Sequence, residues 1–240
     1  MAAIQLIHQK SEVPKEFNRV SKSYDFATKM SQGYQDDLIA SAKRMNLTGN
    51  EKLLDLCCGT GKSTLACLNE LPSGTIVGVD NSEGMLREAN KKFSNEIQTG
   101  KISFVLRDAM QLDFADNSFD AVFMAYGLRN MPDYDKAIKG IHRILKPGGK
   151  LCIHDYSLNE NIFAKIYWAV LGYGFILPFC TLMSGSANIY LYLIKSVLSF
   201  LSPKQITNLL EQNGFTQVVA EPHNSWRKPI LHSVIGIKKG

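Results

Sequence analysis

The chain has 240 residues, the size of one ordinary α/β domain or of a domain with a modest insertion. Because 45% of the residues are hydrophobic and 20% are charged, the chain can bury a sizeable core, which excludes a disordered tail. The net charge of +5 is compatible with weak attraction to an anionic membrane or ligand, and it is too small to indicate a nucleic-acid partner.

The cysteines indicate reduced thiols. Their number, five, is odd, Cys57 and Cys58 are neighbours, and no pair has the C-x-x-C spacing of a zinc or redox site. The N-terminal segment Met1–Lys10 has no apolar run long enough for a signal peptide. We therefore expect a cytoplasmic protein without a bound metal.

Strand-like apolar runs alternate with helical patterns along most of the chain. The predicted strands are Lys52–Leu56, Thr75–Val79, Ile102–Leu106, Phe119–Met124, Leu151–Ile153, Phe215–Ala220 and Leu231–Ile237. The predicted helices are Ser63–Glu70, Ser82–Phe93, Asp133–Leu145 and Lys204–Asn213. This alternation indicates an α/β fold in which helices cover both faces of a parallel sheet and the last two strands close one edge.

A glycine-rich turn follows the first strand, and three kinds of nucleotide site compete for it. The end of the turn, Gly61-Lys62-Ser63, resembles a phosphate-binding P-loop, but that motif needs glycine where Leu56 stands. A dinucleotide fingerprint would need a third glycine where Thr64 stands, so that interpretation is weakened and stays open.

The third interpretation is the turn that binds S-adenosylmethionine. Asp55 is followed by small residues at alternate positions, namely Cys57, Gly59 and Gly61. Glycines let the backbone approach an amino-acid tail closely, and a carboxylate balances the ammonium and sulfonium charges of the ligand.

Two further carboxylates follow the second and third strands. Asp80 comes nineteen residues after Gly61, where a carboxylate can accept hydrogen bonds from both hydroxyls of a ribose. Asp108 follows the third strand and can accept a hydrogen bond from the exocyclic amine of an adenine. Ligands of open α/β sheets lie at this carboxyl edge, so we expect the carboxylates to share one site.

The stretch from residue 166 to residue 194 contains no charged residue. Its first part, Ile166–Met183, is at the lower length limit for a membrane span. We expect an apolar cap with broken helices after the fifth strand; a true span, or a surface that docks on a partner or a bilayer, are the alternatives. The residues that indicate breaks are Gly172, Gly174, Pro178 and Thr181.

Several motifs together resemble the UbiE/MenG family, the class I S-adenosylmethionine-dependent C-methyltransferases of ubiquinone, menaquinone and phylloquinone biosynthesis. They are LLDLCCGTG, VGVD, RDAMQLDFADNSFD, YGLRNMPD and RILKPGGKL. The segments Phe17 to Asp25 and Tyr192 to Val197 are also similar to that family, so the resemblance spans roughly residues 17–237. The most specific motif is Tyr126 to Asn130, directly after the fourth strand.

The resemblance implies a class I methyltransferase fold, a Rossmann-like, doubly wound, seven-stranded sheet in a single domain over residues 1–240. Its parts would be an N-terminal helical cap (1–50), a cofactor-binding core (51–157), an apolar helical insertion on the substrate side (158–202), and a C-terminal helix and strands (203–240).

The resemblance also assigns S-adenosylmethionine as cofactor, with S-adenosylhomocysteine as product. Asp55, Gly59 and Gly61 would flank the methionine part, and Asp80 would bind the ribose. Asp108 with Ala109 would bind the adenine, and Met85 would pack on it. Tyr24 would help to close over the cofactor. The other implied cofactor-binding residues are Asn81 and Ala125.

The chain departs from the family pattern at three places. Lys62 stands where the family commonly has Asp, and Gly33-Tyr34-Gln35 replaces an expected His and Trp. Asp155-Tyr156-Ser157 stands where Glu-Phe-Ser is common. These differences leave the cofactor assignment intact and make the acceptor less certain.

Carbon methylation of a quinol needs an electron-rich ring, an aligned methyl group and a base. Arg129 can hold the developing phenolate, and Asn130 can add a directional hydrogen bond. For the base we expect Asp155 first and His154 second, and strand alternation turns only one of them toward the cleft.

The charge-free stretch fits a lipophilic acceptor with a prenyl tail, and peripheral membrane contact through residues 166–194 is expected with it. A tail tunnel would use Tyr167, Trp168, Phe175, Phe179, Tyr190 and Tyr192. A homodimer is a further expectation. The alternatives are an O- or N-methyltransferase of a small natural product or lipid, a non-catalytic cofactor- or partner-binding fold and, more remotely, a dehydrogenase.

Overall fold

The computed structural model describes residues 18, 33–158, 160, 162–184 and 187–240. Most of the predicted N-terminal cap, including Tyr24, therefore lies outside the described residues. The cap's described part is helix α1 (Tyr34–Arg44), which packs on the sheet through Leu38 and Ala42.

The described residues form one seven-stranded sheet, which confirms the predicted doubly wound α/β fold. Its order is β3-β2-β1-β4-β5-β7-β6, and the pairs among β1 to β5 are parallel while β7 is antiparallel to both of its neighbours. The strands are β1 (Lys52–Leu56), β2 (Thr75–Asp80), β3 (Ile102–Leu106), β4 (Phe119–Ala125), β5 (Leu145–Tyr156), β6 (Phe215–Pro222) and β7 (Leu231–Lys238).

Helices cover both faces of the sheet, and several begin at side-chain caps. Ser82, Asp133 and Ser202 each accept a backbone N–H hydrogen bond at a helix N-terminus, and Ser202 forms a capping box with Gln205. The further helices of the core are α2 (Lys62–Leu68), α3 (Glu83–Lys92), α4 (Ser94–Gln98) and α5 (Tyr134–Ile144).

The fifth strand is longer than the apolar run Leu151–Ile153 that predicts it. Polar residues interrupt its hydrophobic pattern, yet its backbone pairs continuously with β7 from Lys150 (opposite Ile237) to Tyr156 (opposite Leu231). The sheet, rather than the local pattern, therefore sets the length of this strand, and β5 brings His154 and Asp155 to the carboxyl edge.

The predicted apolar insertion is present, but its helices are not broken where the sequence predicts. Helix α6 (Ile162–Leu171) continues through a π-helical segment (Gly172–Ile176) into α7 (Leu177–Ser184). Gly172 allows close packing, because a Cβ there would lie 2.8 Å from Ile194 Cγ1. The insertion ends with α8 (Asn188–Ser199), and α9 (Pro203–Gln212) leads into β6.

The helical run Ile162–Leu182 is 21 residues long and apolar enough to cross a membrane by length and composition. Only 17% of its most apolar window is buried. Trp168 and Ala164 pack into a small core with Val197 and Ile230, whereas much of the other face is open to solvent. Its exposed apolar side chains are Ile162, Phe163, Ile166, Tyr167, Val170, Tyr173, Phe175, Phe179 and Leu182.

Candidate active site

A cavity of about 540 Å³ opens at the carboxyl ends of β1 to β4, at the edge where the sequence predicts the site. Its volume is in the range of small-molecule sites. The predicted site residues that line it are Gly59, Asp80, Asn81, Met85, Asp108, Ala109, Ala125, Arg129 and Asn130. Asp55, Gly61 and Asp155 are not among the lining residues, and Tyr24 lies outside the described residues.

The turn after β1 uses left-handed backbone at Cys57, Gly59 and Gly61, with φ of 63°, 54° and 82°. A Cβ on Gly61 would lie 2.5 Å from Phe93 Cε2, so Gly61 is needed for packing below the turn. No atom of the described residues lies within 4 Å of a Cβ built on Gly59, so among them this glycine leaves open space beside the cavity. The two glycines therefore serve different purposes.

Asp55 lies beneath this turn and is fully buried. Its Oδ2 accepts hydrogen bonds from Ser63 Oγ (2.8 Å) and Thr64 Oγ1 (2.6 Å) at the start of α2. Burial raises the pKa of Asp55 to about 7, and the two hydroxyl donors oppose that rise. In this position the carboxylate fixes the first turn of α2 below the glycine turn.

Asp80 ends β2 and presents its carboxylate to the cavity. Its Oδ2 accepts a hydrogen bond from the Gly59 N–H and its Oδ1 accepts one from the Ser82 N–H, both at 2.9 Å. Burial raises the pKa of Asp80, while these backbone donors favour the ionised form. Each oxygen keeps a further lone pair, so both can accept hydrogen bonds from a diol.

The adenine side of the predicted site is built by α3 and the loop after β3. Met85 is buried and lines the cavity from the first turn of α3, where Ser82 Oγ accepts its N–H. Ser82 Oγ also donates to Asn18 Oδ1, which accepts the Gly84 N–H as well. Asp108 is exposed, and its Oδ1 accepts the Met110 N–H at 2.8 Å.

Arg129 and Asp155 form a buried ion pair at the cavity wall. Arg129 Nη1 lies 2.5 Å from Asp155 Oδ1, and the side chains are 7% and 1% exposed. Burial raises the pKa of Asp155, while the Arg129 guanidinium acts to lower it. Only Arg129 of this pair lines the cavity, so Asp155 lies behind it as its counter-charge.

His154 and Asp155 are adjacent on β5 and make different contacts, because successive side chains of a strand point to opposite faces. Asp155 pairs with Arg129, whereas His154 is fully buried and bonds to Ser41 of α1 and to Tyr126. Neither side chain lines the cavity, so the expectation that one of the two turns toward the cleft is not met.

The comparison with known proteins identifies the family. The model of the ubiE/COQ5 methyltransferase family matches residues 5–235 of the chain. The chain belongs to the ubiE/COQ5 methyltransferase family. The family recognised from the sequence motifs is thereby confirmed, together with the enzyme class and S-adenosylmethionine as methyl donor.

Relatives and structures agree with this membership. The demethylmenaquinone methyltransferase of Lactobacillus johnsonii is 36% identical over 227 residues, which cover 93% of this chain and 91% of that protein. The Staphylococcus aureus (strain JH9) enzyme of the same name is 34% identical over 214 residues, or 87% of each chain. A methyltransferase from Thermotoga maritima shares the fold at 19% identity, with a TM-score of 0.66 over 93% of this chain and 98% of that one.

The residues of this methyltransferase fit the donor. The open space at Gly59, the paired acceptors of Asp80 and the buried thioether of Met85 lie on one cavity and suit the chemistry of an amino-acid tail, a ribose and an adenine. Asp55 and Gly61, which were expected to flank the methionine part, do not line the cavity, and their contacts support the turn from below.

Several residues that line the cavity were not among the site residues predicted from the sequence. Tyr34, Lys62, Arg107 and Tyr126 line the cavity. Tyr126 could have been found, because it directly follows β4 inside the most specific motif. Tyr34 begins a helix that no apolar run before β1 predicts, and its ring stacks on that of Tyr126 at 5.3 Å.

The expected tail tunnel is not formed by the described residues. Tyr167, Trp168, Phe175, Phe179, Tyr190 and Tyr192 do not line the cavity. Trp168 is buried in the core of the insertion, and Phe175 and Phe179 face solvent, because only one face of the helical run packs on the protein. Tyr192 instead donates a hydrogen bond to Asn130 Oδ1 at 2.8 Å, which joins α8 to the segment Tyr126–Asn130 after β4.

Proposed function

We propose that this enzyme transfers the methyl group of S-adenosylmethionine to a ring carbon of a prenylated naphthoquinol. The relatives named demethylmenaquinone methyltransferase support this choice among quinol acceptors. The observation that carries it is Arg129, which is held by its ion pair with Asp155 and lies with Asn130 on the same cavity as the expected donor-binding residues.

Arg129 is the residue that stabilises the phenolate of the acceptor. A guanidinium stays protonated and can donate to a phenolate oxygen, and its paired carboxylate holds it in place. Asn130 Nδ2 donates to the Tyr126 carbonyl oxygen (3.1 Å) and its Oδ1 accepts from Tyr192, so the side chain is fixed at the cavity wall. The donor, when bound, supplies an electrophilic methyl group.

The role of Asp155 as general base stays a prediction. Its contacts favour a positioning role, because Oδ1 accepts hydrogen bonds from Arg129 Nη1 and the Tyr156 N–H. Asp80 binds the ribose and Met85 packs against the adenine with Asp108 and Ala109 beside it, while Asn81 and Ala125 complete the wall.

The prenyl tail leaves the cavity toward a membrane surface, and the exposed apolar face of the run Ile162–Leu182 supports peripheral contact there. A cytoplasmic enzyme that contacts the membrane surface fits this proposal. The predicted homodimer stays a prediction.

The proposal is tested with methyl-labelled donor and a reduced, prenylated 1,4-naphthoquinol that lacks the ring methyl group. Arg129→Gln should lower turnover about 100- to 1000-fold while the dissociation constant of the donor changes little. Carbon attachment of the label is read by NMR; attachment to oxygen would establish the O-methyltransferase alternative, and no transfer to this acceptor would overturn the proposal.

Removal of Arg129 alone leaves Asp155 buried without its counter-charge, which costs about 3–5 kcal/mol of stability. The double variant Arg129→Gln/Asp155→Asn replaces the ion pair by two neutral side chains. It should regain stability in thermal unfolding and stay inactive, which separates loss of chemistry from loss of fold.

A further inference from the structure

One proton has to leave the site in each turnover of the proposed reaction. The methyl group replaces a ring hydrogen, and the positive charge of the sulfonium donor is absent from the thioether product. Donor and quinol therefore yield thioether, methylated quinol and one free proton. Asp155 does not line the cavity and is paired with Arg129, so another group has to receive this proton.

Tyr126 lines the cavity and leads to a buried histidine. It follows β4 with a φ of 56°, a left-handed conformation that is strained for a bulky residue and common at functional sites. Its hydroxyl lies 2.9 Å from Nε2 of His154. His154 is fully buried, and burial holds the pKa of its imidazole well below the ordinary value, so the ring is neutral.

The hydrogen bonds continue from His154 toward the surface. His154 Nδ1 lies 2.7 Å from Ser41 Oγ, and Ser41 Oγ lies 3.1 Å from His223 Nε2. His223 Nδ1 lies 3.2 Å from Oδ1 of Asp37, whose side chain is 13% exposed. An unbroken chain of polar groups thus joins the cavity wall to the partly exposed carboxylate of Asp37, whose Oδ2 pairs with Arg227 Nη1 at 3.1 Å.

Arg44 fixes the direction of the last step. Its Nη1 lies 3.2 Å from His223 Nε2, and an arginine can only donate. His223 Nε2 is therefore an acceptor, and its Nδ1 carries the hydrogen that is donated to Asp37. The neutral ring of His154 likewise has one donor and one acceptor nitrogen, as a relay requires.

We propose that Tyr126, His154, Ser41, His223 and Asp37 conduct the acceptor's hydroxyl proton out of the site, an inference that rests on the proposed function. The acceptor O–H bond breaks as the Tyr126 oxygen takes that proton and passes its own to His154 Nε2. The Nδ1 proton of His154 moves to Ser41, the Ser41 proton to His223 Nε2, and the Nδ1 proton of His223 to Asp37, which releases it to water.

The ring hydrogen then moves to the same acceptor oxygen when aromaticity returns, so methylated quinol is the product. Only O–H and N–H bonds of the protein change, and each is restored when Asp37 has lost its proton and the relay has reset.

Ser41→Ala is the sharpest test, because Ser41 lies on α1, does not line the cavity and joins the two histidines. Alanine suits a helix. We expect kcat on the reduced prenylated naphthoquinol to fall about 100-fold, with unchanged KM, unchanged donor affinity and a larger solvent isotope effect on kcat. Tyr126→Phe should show the same isotope effect and is the second variant should Ser41→Ala unfold.

Ser233→Ala is the matched control. Ser233 is as buried as Ser41 and lies 2.7 Å from Ser41 Oγ and 2.8 Å from His223 Nε2, and its loss leaves the direct Ser41–His223 contact of 3.1 Å in place. Its kcat and isotope effect should equal those of the wild type. Equal losses in both serine variants, or an unchanged isotope effect in Ser41→Ala, would overturn the relay. A wild type that does not methylate this quinol would instead overturn the proposed function.

Discussion

At the scale of single residues, two carboxylates at the same edge of the sheet differ in role because they lie at different depths below the cavity surface. Asp80 faces the cavity, where its oxygens remain available to a ligand, while Asp55 lies below the glycine turn and holds Ser63 and Thr64. Both have a raised pKa through burial. Depth, rather than residue type, therefore decides which carboxylate faces the cavity and which one supports the turn.

The raised pKa of Asp55 makes stability depend on pH. Between about pH 4 and its folded pKa of about 7, the folded chain holds a proton that the unfolded chain has lost. The Asp55 contribution to stability therefore falls as pH rises through this window, by up to about 1.4 kcal/mol per pH unit. Urea unfolding of wild type and Asp55→Asn at several pH values should show this loss in the wild type relative to the variant. A difference that stays constant with pH would contradict the burial of an ionisable Asp55.

At the scale of elements, the sequence predicts what local patterns encode. The apolar runs of β1 to β4 and the amphipathic helix α5 needed no other information. The extension of β5 to Tyr156 depends on its partner β7, and the contacts of Asp55 depend on α2, so neither could be predicted from the local sequence alone. The unbroken helical run from α6 through the π segment into α7 also depends on tertiary packing, because Ile194 packs closely against Gly172.

The hydrogen bond between Tyr192 of α8 and Asn130 couples the insertion to the catalytic turn. Tyr192→Phe removes one net hydrogen bond worth about 1 kcal/mol, so the KM for the naphthoquinol should rise about fivefold. Donor affinity, measured by calorimetry, should not change. Tyr173→Phe, on the solvent-exposed π segment, is the control and should behave as wild type. An unchanged KM in Tyr192→Phe would show that the insertion does not position Asn130 for the acceptor.

At the scale of the whole molecule, the cavity and the exposed apolar run Ile162–Leu182 are joined through α8, whose Tyr192 donates a hydrogen bond to Asn130 at the cavity wall. Under the proposed function the cavity binds the head of the acceptor, and the run presents exposed apolar side chains. An acceptor with a long prenyl tail is confined to a membrane, so an enzyme that only contacts the bilayer surface can reach the head while its sheet stays in water.

Membrane contact is tested by replacing three side chains of that run that are 79%, 67% and 84% exposed: Phe163, Phe175 and Leu182. Because they make few internal contacts, the triple serine variant should fold normally. Each buries apolar surface worth about 1.5–3 kcal/mol when it enters a bilayer, so binding to phosphatidylglycerol vesicles in flotation should fall more than 10-fold. Turnover of a short-tailed, water-soluble naphthoquinol should persist, while turnover of a long-tailed one in vesicles should drop.

Val219→Ser, which removes a 51% exposed apolar side chain from β6, is the control. Equal flotation of wild type and triple variant would exclude this face as the contact, and resistance of the wild type to alkaline extraction would show that the run spans the bilayer instead.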